Sequence, residues 1–343
     1  MKNMTKKSTL SLALAASVLL GLGSTIPTTH AAATSSLVPA KQTLVNQFHI
    51  EKSRIGYNVK TGFVQIDGKD AFKPSTSVHG VAYAKLEVLK AVLAKLTAEN
   101  KKTTFVLVHG AWADASYWTE TAAELRKMGY TVYAPEYAGH GTGAKKNVTH
   151  ADETKSIVDF ITSKNLHDVV LLGHSFGGAI IQKTAEQVPD RIKRLVFFDA
   201  FAPLDGQSLA DQLPAPVQDL FSQLRASTKD DTAPMPFPIF RDTFANTASL
   251  SMAQQLYKSA APEPAAPLFE KLDLKKFYSL NIPKSYLYLT EDQAAPQGPY
   301  GFHPNQSSHL GVYRLIIGSG DHMTTVHTEP LQIAEKIVAA GRD

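Results

Sequence analysis

The chain has 343 residues, 43% of them hydrophobic and 19% charged, with a formal charge of +4 and no cysteine. That length suffices for a full core and a small extra module, and the composition excludes a disordered or fibrous chain. Lys2, Lys6 and Lys7 carry three of the four net charges on a segment expected to be removed, so nothing argues for nucleic acid or an anionic membrane surface. The absence of cysteine excludes disulfides, thiolate metal sites, cysteine nucleophiles and lipoprotein anchoring.

Residues 1–33 combine a lysine-bearing start, an apolar run over 10–22 and small residues around Ala31 and Ala33. This pattern predicts a secretory signal peptide cut after Ala31 or Ala33, and hence an extracellular protein. The apolar run has 13 residues, short for a bilayer span, so no stable membrane anchor is expected. Residues 34–102 are expected to form an N-terminal extension of unassigned role. In it Val64, Ile66 and Asp67-Gly68 suggest a strand or hairpin. Leu86, Leu89, Val92, Leu93 and Leu96 predict an amphipathic helix over 81–99 whose apolar stripe covers the outside of the main domain.

From residue 103 the pattern changes to buried strands alternating with helices. Strands are expected over 103–110, 131–135, 169–172 and 194–199, and helices over 120–127 and 149–163. Each strand is a near-continuous apolar run, which predicts a mostly parallel central sheet flanked by helices. The stretch 203–282 holds nine of the 19 prolines, a density incompatible with a central strand. It is expected to be a cap with short helices near 216–225 and 250–259. Strands resume over 284–290 and 313–317, and a last helix spans 329–340.

Gly173-His174-Ser175-Phe176-Gly177 matches G-x-S-x-G between a buried strand and an apolar helix. That context predicts a nucleophile elbow, a strained turn that lifts the Ser175 hydroxyl above the sheet. A serine needs a base, and the base needs an orienting acid. His322, in a glycine-bearing loop past the last strand, is the best-placed base. His327, His303 and His309 read as surface residues, His174 as pointing away, and His109 as structural. Asp292 follows the strand 284–290, and the order Ser175, Asp292, His322 suits this architecture. Asp199 is its chief rival, while Glu291 and Asp321 read as solvated loop charges. Two backbone N–H groups, of Phe176 and Ala111, are expected to bind an oxyanion.

The segments F-V-L-V-H-G-A-W (105–112), G-H-S-F-G-G, T-E-D and G-D-H-M resemble the α/β-hydrolase group that contains plant methylesterases and hydroxynitrile lyases, together with many bacterial esterases. The resemblance covers residue 103 to the C-terminus. It implies an α/β-hydrolase fold with a helical cap over the serine, catalytic Ser175, Asp292 and His322, and oxyanion donors at Ala111 and Phe176. The lyases have threonine where this chain has Gly110 and lysine where it has Met323, so the resemblance favours ester hydrolysis. The loop 293–310, rich in Pro, Gly and Gln, departs from the plant enzymes and makes the pocket rim different.

The expected activity is therefore that of a secreted serine carboxylesterase acting on a small-molecule ester. No metal or cofactor is implied, since no H-E-x-x-H spacing occurs. A lyase-like activity, a dehalogenase-like relative (disfavoured by serine at the elbow) and an inactive binding module are the alternatives. Trp112, Tyr117, Trp118, Phe237 and Phe240 are candidates to line an apolar pocket.

Overall fold

The computed structural model describes residues 37–48 and 50–342. The expected signal peptide lies outside them. The extension opens with β1 (Leu37–Pro39) and α1 (Ala40–Asn46), followed by β2 (Ile55–Asn58), β3 (Phe63–Ile66), β4 (Lys69–Phe72), β5 (Thr76–Val78), β6 (Val81–Lys85) and α2 (Leu86–Asn100). These strands form two small antiparallel sheets, β2-β3-β4 and β1-β6-β5. The β3–β4 hairpin turns on Asp67-Gly68, with φ of +53° and +76°, as a two-residue primed turn requires.

The helix expected over 81–99 begins only at Leu86. Residues Val81 to Lys85 instead form a strand paired on both edges, with β1 and β5. The reason is local: Val81 and Tyr83 favour a pleated surface, and two partner strands satisfy the backbone more completely than one added helical turn. The extension has its own core of Leu44, Ile50, Ile55, Val64, Ile66, Phe72 and Leu89. The α2 stripe does not simply cover the main domain: Leu89, with Val92 and Leu96 against it, packs into the extension's own core, and Leu93 and Leu96 line a groove beside Met128 and Leu331 of the main domain. Asp67 accepts from both Arg54 (2.7 Å) and Arg342 (2.7 Å), pinning the hairpin to the chain's far end.

The main domain runs β7 (Thr104–Val108), α3 (Thr119–Lys127), β8 (Thr131–Tyr133), α4 (His150–Ser163), β9 (Val169–His174), α5 (Gly177–Gln187) and β10 (Ile192–Phe198). Next come α6 (Ala215–Ala226), β11 (Thr232–Ala233), α7 (Phe237–Ile239), α8 (Leu250–Ser259), β12 (Glu263–Pro264), α9 (Ala265–Phe269) and α10 (Lys275–Ser279). It ends with β13 (Lys284–Leu289), β14 (Arg314–Gly318), α11 (Thr325–Thr328) and α12 (Pro330–Gly341). The sheet order is β14-β13-β10-β9-β7-β8, and all five pairings are parallel.

A parallel sheet must be covered on both faces, which is why its central strands read as unbroken apolar runs. Val169 to Leu172 and Leu195 to Phe198 are fully buried. Helices α3 and α12 pack together on the sheet, and α5 packs on β7, β9 and β10 with α4 behind it. Thr149 caps α4 reciprocally with Asp152, fixing that helix where its first turn meets the cap. Loops at the C-terminal ends of β7, β9, β10 and β13 converge on one place.

Candidate active site

Ser175 sits between β9 and α5 at φ +54°, a left-handed conformation costing about 1–3 kcal/mol for a non-glycine residue. The surroundings hold it there. Its N–H donates to Phe198 O (3.2 Å), and its carbonyl accepts from Gly178 and Phe201 (both 3.1 Å). Gly173 is required by close approach, because a Cβ there would stand 2.3 Å from Gly177 O. Gly110 meets Ser175 in the same way, its hypothetical Cβ falling 2.6 Å from Ser175 Cβ.

His322 lies in the loop after β14 and is buried. Its Nδ1 is 2.6 Å from Asp292 Oδ2, while Asp292 Oδ1 accepts the Ala294 N–H at 2.7 Å. A carboxylate only accepts, so Nδ1 carries the proton and neutral His322 keeps a lone pair on Nε2. The ring is sandwiched by aromatic neighbours: Phe302 stacks on it at 5.5 Å and 3°, and Phe244 approaches at 5.3 Å. It is 4.3 Å from the ring of His174, the residue before Ser175.

Asp199, the rival acid, is fully buried behind the pair and accepts the Leu289 N–H at 3.0 Å. Burial and the charge of Asp292 drive its carboxyl well above the usual range, and its hydrogen bond to Asp292 adds to this. Asp199 is therefore a neutral acid that donates to Asp292, and it does not reach the imidazole.

Asp321 is no solvated loop charge, as its sequence context suggests. It is buried, and it accepts from the Thr247 N–H and hydroxyl (both 2.8 Å) and the Thr324 N–H (2.7 Å). Glu291 does lie at the surface, where it accepts from Gly320 N at 2.8 Å. His303, His309 and His327 are occupied elsewhere and half-buried rather than at the surface. His303 pairs with Ser307, His309 with Ala202 O, and His327 with Glu120. His109 bridges Gly110 O and Glu136 in the core.

Ser175, Ala111 and Phe176 share the wall of a cavity of about 380 Å³. Phe176 caps the N-terminus of α5, where unpaired backbone N–H groups favour negative charge. The roof comes from the proline-rich segment, with Leu213, Val217, Phe221, Met235 and Phe244, and the rim from residues 293–300. Of the five aromatic pocket candidates only Trp112 lines this cavity; Trp118 and Phe240 are sealed in the core.

Trp112 also has a role that sequence patterning did not reveal. At φ +59° its N–H donates to Glu263 Oε2 (2.6 Å), its carbonyl accepts from Ala261 N (3.2 Å), and its indole donates to Ala233 O (2.7 Å). The loop carrying Ala111 is thus fastened to the cap.

A six-stranded parallel sheet between helices, with a serine on a strained strand-to-helix turn under a cap, defines an α/β-hydrolase. The chain belongs to the alpha/beta hydrolase family, whose model matches residues 105–340, and within it resembles the plant methylesterases. It is similar to a carbendazim hydrolyzing esterase of Nocardioides sp. strain SG-4G, 42% identical over 113 residues, 32% of this chain and 47% of that one. It is also similar to salicylic acid-binding protein 2 of Nicotiana tabacum, 26% identical over 68% of this chain and 95% of the relative. The chain spans about half the length of several curated relatives that it matches. Among solved structures it matches an extracellular alpha/beta-hydrolase from a Paenibacillus species, with TM-score 0.70 and 69% identity, over 70% of this chain and 100% of that one. That protein is described as sharing structural and functional homology with the tobacco protein.

Proposed function

We propose that the protein is a secreted carboxylesterase working through an acyl-enzyme on Ser175. The observation that carries this reading is the 2.6 Å contact between Asp292 and His322, at the end of the sheet where Ser175 opens into the cavity. Relatives named as esterases support the reaction class. The extracellular Paenibacillus neighbour and the leader-like residues 1–33 support secretion. In the same reading residues 34–102 are an accessory extension, and 103–343 the hydrolase domain with its cap at about 203–282.

In the proposed mechanism His322 Nε2 takes the Ser175 proton as the serine oxygen attacks the ester carbonyl. Asp292 holds the imidazole in the required tautomer and stabilises the imidazolium. The N–H groups of Ala111 and Phe176 bind the oxyanion. As the tetrahedral intermediate collapses, the alcohol leaves with the proton from His322. Water then gives its proton to His322, attacks the acyl carbonyl, and releases the acid as the proton returns to Ser175. The apolar roof of Leu213, Val217, Phe221, Met235 and Phe244 suits an aliphatic or aryl group of a small ester.

The test is mass spectrometry after reaction with an active-serine fluorophosphonate, paired with hydrolysis of p-nitrophenyl esters of graded acyl length. One phosphonate adduct on Ser175, with loss of all esterase activity, is expected. An active protein that is labelled elsewhere overturns the assignment. Absence of both labelling and hydrolysis favours a binding module.

A further inference from the structure

We propose that His140, Glu153 and Glu263 form a site for one divalent transition-metal ion of the zinc or manganese type, fastening the cap to the hydrolase core next to the loop of Ala111. The three come from separate places: His140 from the loop after β8, Glu153 from the first turn of α4, and Glu263 from β12 in the cap. One ligand atom from each lies within 4.8 Å of the other two, and all three residues are buried. Donors around a tetrahedral ion at about 2.0–2.2 Å stand about 3.5 Å apart, so modest side-chain rotation closes the set.

Two further observations point to a ligand. Glu153 is completely buried, and neither of its carboxylate oxygens has a hydrogen-bond partner among the described residues; Glu263 Oε1 lacks one too. An ionised carboxylate left so is costly enough that it is normally paired or coordinates a metal. The second is the orientation of His140. Its Nδ1 is 3.1 Å from Ala138 O, which can only accept, so Nδ1 bears the proton. Its Nε2, the other ring nitrogen, faces Glu263 Oε2 at 2.9 Å, so the ring is already turned towards the second proposed ligand. A histidine whose other nitrogen donates to a backbone carbonyl is arranged as metal-binding histidines are.

The nearby cation, Lys146, is engaged elsewhere, donating to Gly139 O at 2.8 Å. One imidazole and two carboxylates suit zinc or manganese, whereas calcium prefers six to eight oxygens. The site does not depend on the serine mechanism.

The test uses tag-free full chain, stripped with EDTA and dialysed, then titrated separately with zinc, manganese and calcium chloride. Calorimetry should show about one equivalent of zinc or manganese. The melting temperature should rise with the ion, and cobalt loaded in place of zinc should give visible d–d absorption. Glu153→Gln should remove the binding. No zinc or manganese binding by wild-type protein, binding of calcium alone, or zinc binding undiminished in a folded Glu153→Gln chain overturns the proposal. If Glu153→Gln fails to fold, the wild-type protein decides: less than one equivalent bound, or no rise in melting temperature with zinc or manganese, excludes this site.

Discussion

The hydroxyl of Tyr117 donates to the carbonyl oxygen of His322 at 2.9 Å. That spends its single proton, so the 3.1 Å contact with His174 Nε2 has the imidazole as donor. Burial, with His322 as the next cause, holds His174 far below its ordinary range and keeps it neutral. One phenol thus fixes the main chain at His322 and the tautomer of the residue beside Ser175.

Tyr117→Phe is expected to destabilise the fold by about 1–3 kcal/mol, because a buried N–H of His174 loses its acceptor. It should also lower kcat through a looser His322. Thermal melts and kinetics on one preparation check both, and an unchanged melting temperature would show that the bridge carries no stability.

Ser175→Ala should leave the fold intact and reduce kcat by a factor on the order of 10⁶. The strained elbow adds no new penalty, since alanine takes the same φ at a similar cost. More than about a tenth of wild-type turnover, at unchanged melting temperature, rules Ser175 out as nucleophile.

Asp292→Asn and Asp199→Asn should separate cleanly. The first removes the acceptor that holds His322 Nδ1–H, and costs about 10⁴ in kcat by analogy with the serine-protease aspartate. The second replaces a neutral acid by a neutral amide that still accepts from Leu289 and donates to Asp292, so its loss should be far smaller. The reverse order in steady-state kinetics would move the acid to Asp199.

Acid stability should track buried histidines. Burial, helped by Lys183, lowers His150 to about 3, whereas the unfolded chain titrates near 6.5. Between these values the unfolded state holds a proton that the native state lacks, so stability is complete above about pH 6.5 and falls as pH drops towards 3. The slope is about 1.4 kcal/mol per pH unit for such a group. His109 and His174 shift in the same direction. His150→Gln should therefore flatten, without abolishing, the decline in melting temperature from pH 6.5 to 4; an unchanged slope assigns it to other groups.

The parts legible in the sequence are those written in neighbouring residues. The strand 169–172 reads as buried because every side chain is apolar, and the elbow follows it directly. Asp292 is legible as one of two acids, with Glu291, that directly follow a late strand. What escapes is whatever depends on distant segments. Val81 to Lys85 pairs with β1 and β5 on both edges, which local periodicity does not report. Asp321 is buried because Thr247, 74 residues earlier, folds over it. His140, Glu153 and Glu263 share no spacing, and only the cap's return through β12 brings them together.

The cap's ties to the reaction centre also govern traffic. Trp112 is held by Glu263, Ala261 and Ala233 on one side of the cavity. On the other, Met323 N–H donates to Phe244 O at 2.9 Å, and Asn246 donates to Glu291 O at 2.8 Å. Lifting the cap as a lid would break these bonds together and pull the oxyanion loop and the His322 loop out of register. The rim 293–300 carries none of these bonds, and Tyr300 there stands 43% exposed. In the proposed esterase these ties leave the rim around Tyr300, rather than a domain motion, to limit the size of the alcohol or acid that reaches Ser175.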